Sequence, residues 1–164
     1  MFAKKYGYYY SYIVILLAFI ISGYLLYYHL SIVAGNFPES DLCSVIFGKG
    51  CLVATLSKFS VFMKIPVGGW GIIYLVILLC LITFSQLFNS GESDEFIQIA
   101  FWISFVGALV SLFFILLMIA FSHLFCPYCS IFHLLNFTLF FIIKFLTLYC
   151  PPIAAPQLPE PPLT

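Results

Sequence analysis

Charge is what this sequence has least of. Only 7% of its 164 residues are charged, and none is arginine. Soluble domains carry about 25% charged residues. A water-soluble core of this size cannot hide a chain that is 64% hydrophobic, so a soluble globular protein is excluded. Lysines and acidic residues balance to a net charge of zero, leaving no basic stripe to neutralise a nucleic-acid backbone. The sequence also lacks a glycine fingerprint for flavin or nicotinamide, a Cys-x-x-Cys-His haem attachment, and a histidine pair on facing spans. Redox chemistry here would have to use side chains and a small lipid-soluble partner.

What fills the sequence instead is bilayer-compatible. The 20 Phe and 11 Tyr suit a membrane, with Tyr preferring its interfaces. Four apolar runs, at residues 11–33, 66–88, 96–122 and 127–149, are each long enough to cross a ~30 Å hydrocarbon core. The first exceeds the apolar core of a signal peptide, and Ile32-Val33-Ala34 makes a poor cleavage site, so it is expected to stay. Lys4, Lys5 and the Tyr cluster before it read as an interfacial anchor. The long polar loop spans Ala34 to Ile65. Within it, apolar residues at 52, 53, 56, 59 and 63 predict a short amphipathic helix from Leu52 to Met63. Pro66 and Pro127 stand at helix starts, where proline is tolerated.

The fold class that follows is an all-α integral membrane protein: a four-transmembrane-helix bundle with a loop containing a short amphipathic helix, an extracytoplasmic loop if the amino terminus is inside. Residues 1–150 form that domain, and residues 151–164, with six prolines, form an extended or disordered tail. Four spans put both termini on one side. The 34–65 loop and the start of the fourth span then share the other side, with the acidic turn around Glu92, Asp94 and Glu95 opposite them. Three lysines fall on each side, so the positive-inside rule gives no orientation.

Chemistry enters with the six cysteines. Cys126-Pro127-Tyr128-Cys129 opens the fourth span. Cys126 and Cys129, three apart on a helix, share a face, and the free N–H groups and dipole of a helix start favour a thiolate. Such a pair can close into a disulfide and reopen. Cys43 and Cys51 lie in the loop, with Gly48 and Gly50 between them to permit a tight turn. Taken alone, that pair reads as a structural bridge; beside a second dithiol on the same membrane face it reads as the outer half of a relay. A Cys₄ zinc site is the other arrangement four cysteines allow, but Cys-x₇-Cys is wider than a zinc knuckle. Cys80 reads as a small apolar filler, and Cys150 lies at the opposite membrane side.

An acceptor for relayed electrons must sit in or near the bilayer. A quinone needs only an apolar slot with one or two polar contacts. His133, one turn below Cys129, could donate a hydrogen bond to it, and Ser57, six residues after Cys51, could contact the same slot. The bland alternatives are a packed helix histidine and an ordinary exposed serine. His29 and His123 stand at span ends and read as interfacial.

At these residues the chain resembles the vitamin K epoxide reductase family, in particular its bacterial members. The resemblance runs from Tyr12 to Tyr149. It comprises Cys43-x₇-Cys51, Ser57, Phe59-Ser60, Ile65-Pro66, Gly71, Tyr74 and the Cys126-Pro127-Tyr128-Cys129 motif, in that order. It implies a four-helix bundle around a quinone, ubiquinone or menaquinone, capped by the loop helix, in a bacterial inner membrane with the active site facing the periplasm or cell exterior. It implies that Cys43 exchanges with a periplasmic thioredoxin-like dithiol protein, that Cys51 attacks at Cys126, and that Cys129 reduces the quinone beside Ser57 and His133. Lys64 stands where the family usually has glycine, and Val67 where asparagine is common. Many bacterial members carry a fused thioredoxin-like domain; here the resemblance implies a separate partner, whose reoxidation would serve disulfide formation. A second quinone-linked oxidase family, also four-helical, places its Cys-x-x-Cys before its separated pair, the reverse of the order here. The reading from another class is a four-span structural protein whose loop is held by a disulfide.

Overall fold

The computed structural model describes residues 2–36, 50–57, 59–87, 92–121 and 126–149. The 151–164 tail, Cys43, His123 and Cys150 lie outside the described residues. The elements are α1 (Phe2–Val33), α2 (Gly50–Leu56), β1 (Val61–Phe62), β2 (Ile65–Pro66), α3 (Val67–Leu87), α4 (Glu92–Ala120) and α5 (Pro127–Tyr149). Four of them, α1, α3, α4 and α5, are long and apolar enough to cross a membrane. They close a ring in which α1 packs on α3 and α5, and α4 packs on the same two. The fold is the all-α membrane bundle that the four apolar runs predict.

Lipid tails are as apolar as leucine, so burying leucine does not by itself drive membrane helices together. Close packing and internal hydrogen bonds must do it. The exterior is correspondingly greasy, with Leu16, Ile20, Leu116 and Ile119 exposed along the spans. The interior carries Leu75, Leu78, Ile82, Leu139, Ile143 and Leu146, interleaved with the small polar residues Ser11, Ser22, Ser85, Ser104 and Ser111. Most of those hydroxyls are satisfied on a nearby carbonyl. Ser11 donates to Gly7 O at 2.9 Å, Ser85 to Ile82 O at 2.8 Å and Ser104 to Phe101 O at 2.9 Å. Ser22 instead donates across the α1–α3 seam to Gly68 O at 2.8 Å. Gly68 makes that approach possible: a Cβ there would stand 3.0 Å from Leu26 N and 3.1 Å from Ser22 O, both fixed backbone.

Three boundaries differ from the sequence reading, one of them at α4, which begins at Glu92 rather than Phe96, so that Glu92, Asp94 and Glu95 form its first turn instead of an acidic turn before it. The first helix starts at Phe2 rather than Ser11, because a helix does not have to stop where the hydrocarbon does. The loop helix is shorter than Leu52–Met63 and ends at Leu56, since Ser57 turns the chain. Ser57 N and Oγ both bond Ala54 O, at 3.3 and 2.7 Å, and Ser60 N and Oγ bond Ser57 O, at 3.1 and 2.9 Å. Local side-chain bonds of this kind compete with helix continuation. Ser57 therefore follows the helix rather than riding on it. Phe59 and Met63 fall in the turn and hairpin that come next.

That hairpin pairs Val61 with Pro66 and Phe62 with Ile65, leaving Met63 and Lys64 as a two-residue turn. Both have positive φ, 50° and 66°. Two-residue hairpin loops of the favoured type demand this twist, and residues with a Cβ resist it. Lys64 thus occupies a position suited to glycine, the residue that the family resemblance leads one to expect. The hairpin is anchored to α3 by Trp70 Nε1, which donates to Phe62 O at 3.1 Å, and by the edge-on Phe62–Trp70 ring contact.

Two substitutions test these seams by chemical unfolding in detergent micelles. Lys64→Gly should stabilise the protein by about 1 kcal/mol, through relief of the left-handed turn. Gly68→Val should destabilise it by about 1–3 kcal/mol, because neither Leu26 N nor Ser22 O can step aside. An unchanged midpoint for Gly68→Val would show that α1 and α3 do not meet at this glycine.

Candidate functional site

The Cys-Pro-Tyr-Cys motif is built by the start of α5. Pro127 is the first helical residue, where its missing N–H leaves nothing unpaired. Cys126 precedes it as the helix cap: its carbonyl receives Ser130 N at 3.0 Å and its sulfur receives Cys129 N at 3.3 Å. A serine or aspartate oxygen at a cap position takes the same N–H. The two sulfurs are 2.7 Å apart, with Cys129 Sγ directed at Cys126 Sγ. The motif thus holds both sulfurs together through ordinary cap geometry.

The two thiols face different surroundings. Cys126 is 2% exposed and packs with Tyr28 and Ile32 of α1. Leu52 and Ala54 of α2 rest on the same cluster. Cys51 is next to Leu52 in α2, so the loop helix that carries it lies over the Cys126 side of the motif; its side chain lies outside the described residues. Tyr128 leans on Tyr24 of α1, with ring centroids 4.9 Å apart. Cys129 packs on the same cluster and also lines a cavity.

That cavity is open on one side and offers about 120 Å³ to the centre of a water-sized sphere. Ser57, Cys129 and His133, three residues singled out by sequence, line it together. The loop contributes Ala54, Phe59 and Ser60, α1 contributes Ser22, Leu25 and His29, and the start of α3 contributes Val67 and Gly68. Phe114, Leu117 and Met118 of α4 and Phe132 of α5 complete an apolar wall. Val67 does line the cavity, so the position where the family commonly has asparagine meets the same space as a hydrocarbon side chain.

The polar groups on that wall differ in what they can offer. Ser22, Ser57 and Ser60 each spend their hydroxyl proton on a backbone carbonyl, which leaves them as acceptors. His133 is held from behind. Its ring lies nearly parallel to Phe114, 13° between planes, and its Nδ1 is 3.1 Å from Ser111 Oγ. Asn136 Nδ2 donates to the same Ser111 oxygen at 2.7 Å, and Tyr74 OH donates to Asn136 Oδ1 at 2.6 Å.

Sequence reasoning missed two parts of this site. His29 lines the cavity as well as standing near a span end. No spacing links Ser111 to His133, but Asn136 stands three residues after His133 on one helix face, and a buried polar residue within a lipid-compatible run is itself a signal. Cys80 is exposed on the outside of the bundle, away from the cavity.

No curated protein and no solved structure gives a match. The model of the vitamin K epoxide reductase family, however, matches residues 10–143, most of the chain and all of the cavity. The chain belongs to the vitamin K epoxide reductase family and is a multi-pass membrane oxidoreductase.

Proposed function

We propose that this protein is a quinone-dependent thiol oxidoreductase that reoxidises a periplasmic thioredoxin-like protein, with Cys43, Cys51, Cys126 and Cys129 as its relay. The observation that carries the reading is the shared wall. A dithiol at a helix start has one sulfur, that of Cys129, on an apolar cavity that His133 and Ser57 also line.

A quinone suits the cavity's chemistry. Its ring and tail need an apolar slot, and its carbonyl oxygens need a few hydrogen-bond donors. Phe114, Phe132, Leu117 and Met118 supply the former, and the His29 and His133 rings are the side chains that can supply the latter. When bound, a quinone supplies a sink for two electrons and two protons.

The thiol steps balance within the chain. A thiolate of the reduced partner attacks the Cys43–Cys51 disulfide at Cys43. The partner's second thiol then resolves the mixed disulfide, leaving the partner oxidised and Cys43 and Cys51 as a dithiol. Cys51 thiolate next attacks Cys126 in the Cys126–Cys129 disulfide, and Cys129 leaves as a thiolate. Cys43 displaces Cys126 from Cys51, which restores the loop disulfide and leaves the inner pair reduced. One electron pair has moved from the partner to the wall of the cavity. The geometry fits the order of attack: Cys126 belongs to the cluster on which α2 rests and does not line the cavity, whereas Cys129 does.

Purified protein with a reduced thioredoxin-like substrate should convert quinone to quinol. Cys129→Ala should lower that rate by at least ~10³-fold, as expected when a covalent relay loses a member. Undiminished quinone reduction by this variant would sink the proposal. In cells, Cys51→Ala should accumulate a mixed disulfide between Cys43 and a soluble partner. A loop disulfide that is only structural would trap no partner at any cysteine.

A further inference from the structure

The chain of hydrogen bonds behind His133 has a direction, and that direction decides which imidazole nitrogen carries the proton. Tyr74 OH donates to the amide oxygen of Asn136. The amide nitrogen of Asn136 then donates to Ser111 Oγ. Ser111 has one proton left to give, and among the described residues the acceptor within its reach is His133 Nδ1 at 3.1 Å. A neutral imidazole bears a single N–H. If Nδ1 accepts, the proton is on Nε2, at the other edge of the ring.

We propose that Tyr74, Asn136 and Ser111 are positioning residues that hold His133 in its Nε2–H tautomer, so that it presents a hydrogen-bond donor to the cavity lined by Cys129. The inference rests on the quinone reading for the identity of the acceptor, a carbonyl oxygen; the tautomer itself does not depend on it.

Three observations carry it. The relay is buried: Ser111 is 2% exposed, Asn136 5% and His133 6%. In a bilayer, such groups have no water to fall back on, so each must find its partner inside the protein. Apolar residues would pack this region at less cost, and a polar chain that ends on a cavity wall calls for a purpose there. Second, the neighbouring serines return their protons to carbonyls on their own helix, as Ser104 does to Phe101 O, whereas Ser111 is engaged from α5 by both Asn136 and His133. Third, α4 makes room for the head of the relay. Gly107 lies one turn before Ser111, and a Cβ on it would stand 2.5 Å from Tyr74 OH and 2.7 Å from Tyr74 Cζ. The phenol reaches Asn136 across the face of a glycine. Among the other polar groups on the wall, Ser22, Ser57 and Ser60 already spend their protons, which leaves His29 as the second ring able to donate.

The test is solid-state NMR of the full chain in liposomes, labelled with ¹⁵N-histidine, with the His133 signals assigned by their loss in His133→Gln. Protonated and bare ring nitrogens resonate far apart, so the tautomer is read directly. The wild type should show a bare Nδ1 and a protonated Nε2. Ser111→Ala should yield a mixture of tautomers, and Ser111→Thr, which keeps the hydroxyl, should restore the single form. Gly107→Ala, which displaces Tyr74 without touching His133, should shift the population in the same direction as Ser111→Ala. In turnover assays, Ser111→Ala should raise the quinone KM about tenfold with kcat little changed, the size of effect expected for one weakened hydrogen bond. A protonated Nδ1 in the wild type, or a wild-type tautomer in folded Ser111→Ala, would overturn the proposal. If the tautomer behaves as described but the wild type reduces no quinone, the relay stands and the quinone reading falls.

Discussion

Polar groups in the hydrocarbon core of a membrane have no water to turn to, and the architecture of this protein follows from that constraint. Every buried serine, the buried asparagine and the buried histidine must be answered by another part of the chain. Ser11 and Ser104 are answered within their own helices and cost the bundle little, and Ser85 adds to such a bond a contact with Tyr8 OH of α1. Ser22 and the Tyr74–Asn136–Ser111–His133 set are answered across helices, and these bonds fix which helix faces meet. Glycine provides the required proximity, at Gly68 for the α1–α3 seam and at Gly107 beneath Tyr74. Hydrogen bonding between spans and close backbone approach are therefore two aspects of one requirement.

The same constraint explains where the candidate chemistry sits. A thiol pair in the middle of a span could exchange with nothing aqueous, and one far from the bilayer could not reach a lipid-soluble acceptor. The start of α5 meets both needs. Cys126 lies under the loop helix, and Cys129 lines a cavity between loop and bundle. A helix cap supplies the link, since its first residue and its third helical residue are bonded to one another while the latter alone lines the cavity.

Much of this was legible in the sequence, for identifiable reasons. Span number and the α5 boundaries could be read because crossing a bilayer imposes length and apolarity on contiguous residues, and Pro127 punctuates the start. Ser57, Cys129 and His133 could be proposed as neighbours because short spacings and the family resemblance point the same way, and they do line one cavity. The loop helix was overestimated because apolar spacing at Phe59 and Met63 matches a helix as well as it matches a turn and hairpin; what ends the helix is the local bonding of Ser57 and Ser60. The relay behind His133 was legible only at Asn136, three residues on in the same helix; Tyr74 and Ser111 come from two other helices, and no one-dimensional pattern joins them to it. His29 looked interfacial from its position near a span end, and only the packing of α1 against α2 and α3 turns that end into a wall.

The cavity belongs to no single element. One side is the loop, through Ala54, Ser57, Phe59 and Ser60, and the other is the bundle, through α1, α3, α4 and α5. The described elements that lie between these two sides in the chain are short: a turn, a two-strand hairpin and the bond from Val67 N to Ser60 O. A molecule that fills the space therefore acts as a strut between cap and bundle as well as a reactant. By linkage, occupancy at a hundred times the dissociation constant adds about 2.7 kcal/mol to the stability of the filled form. The melting temperature of the purified protein thus becomes a gauge of which lipid-soluble molecules it accepts, one that needs no electron to be transferred.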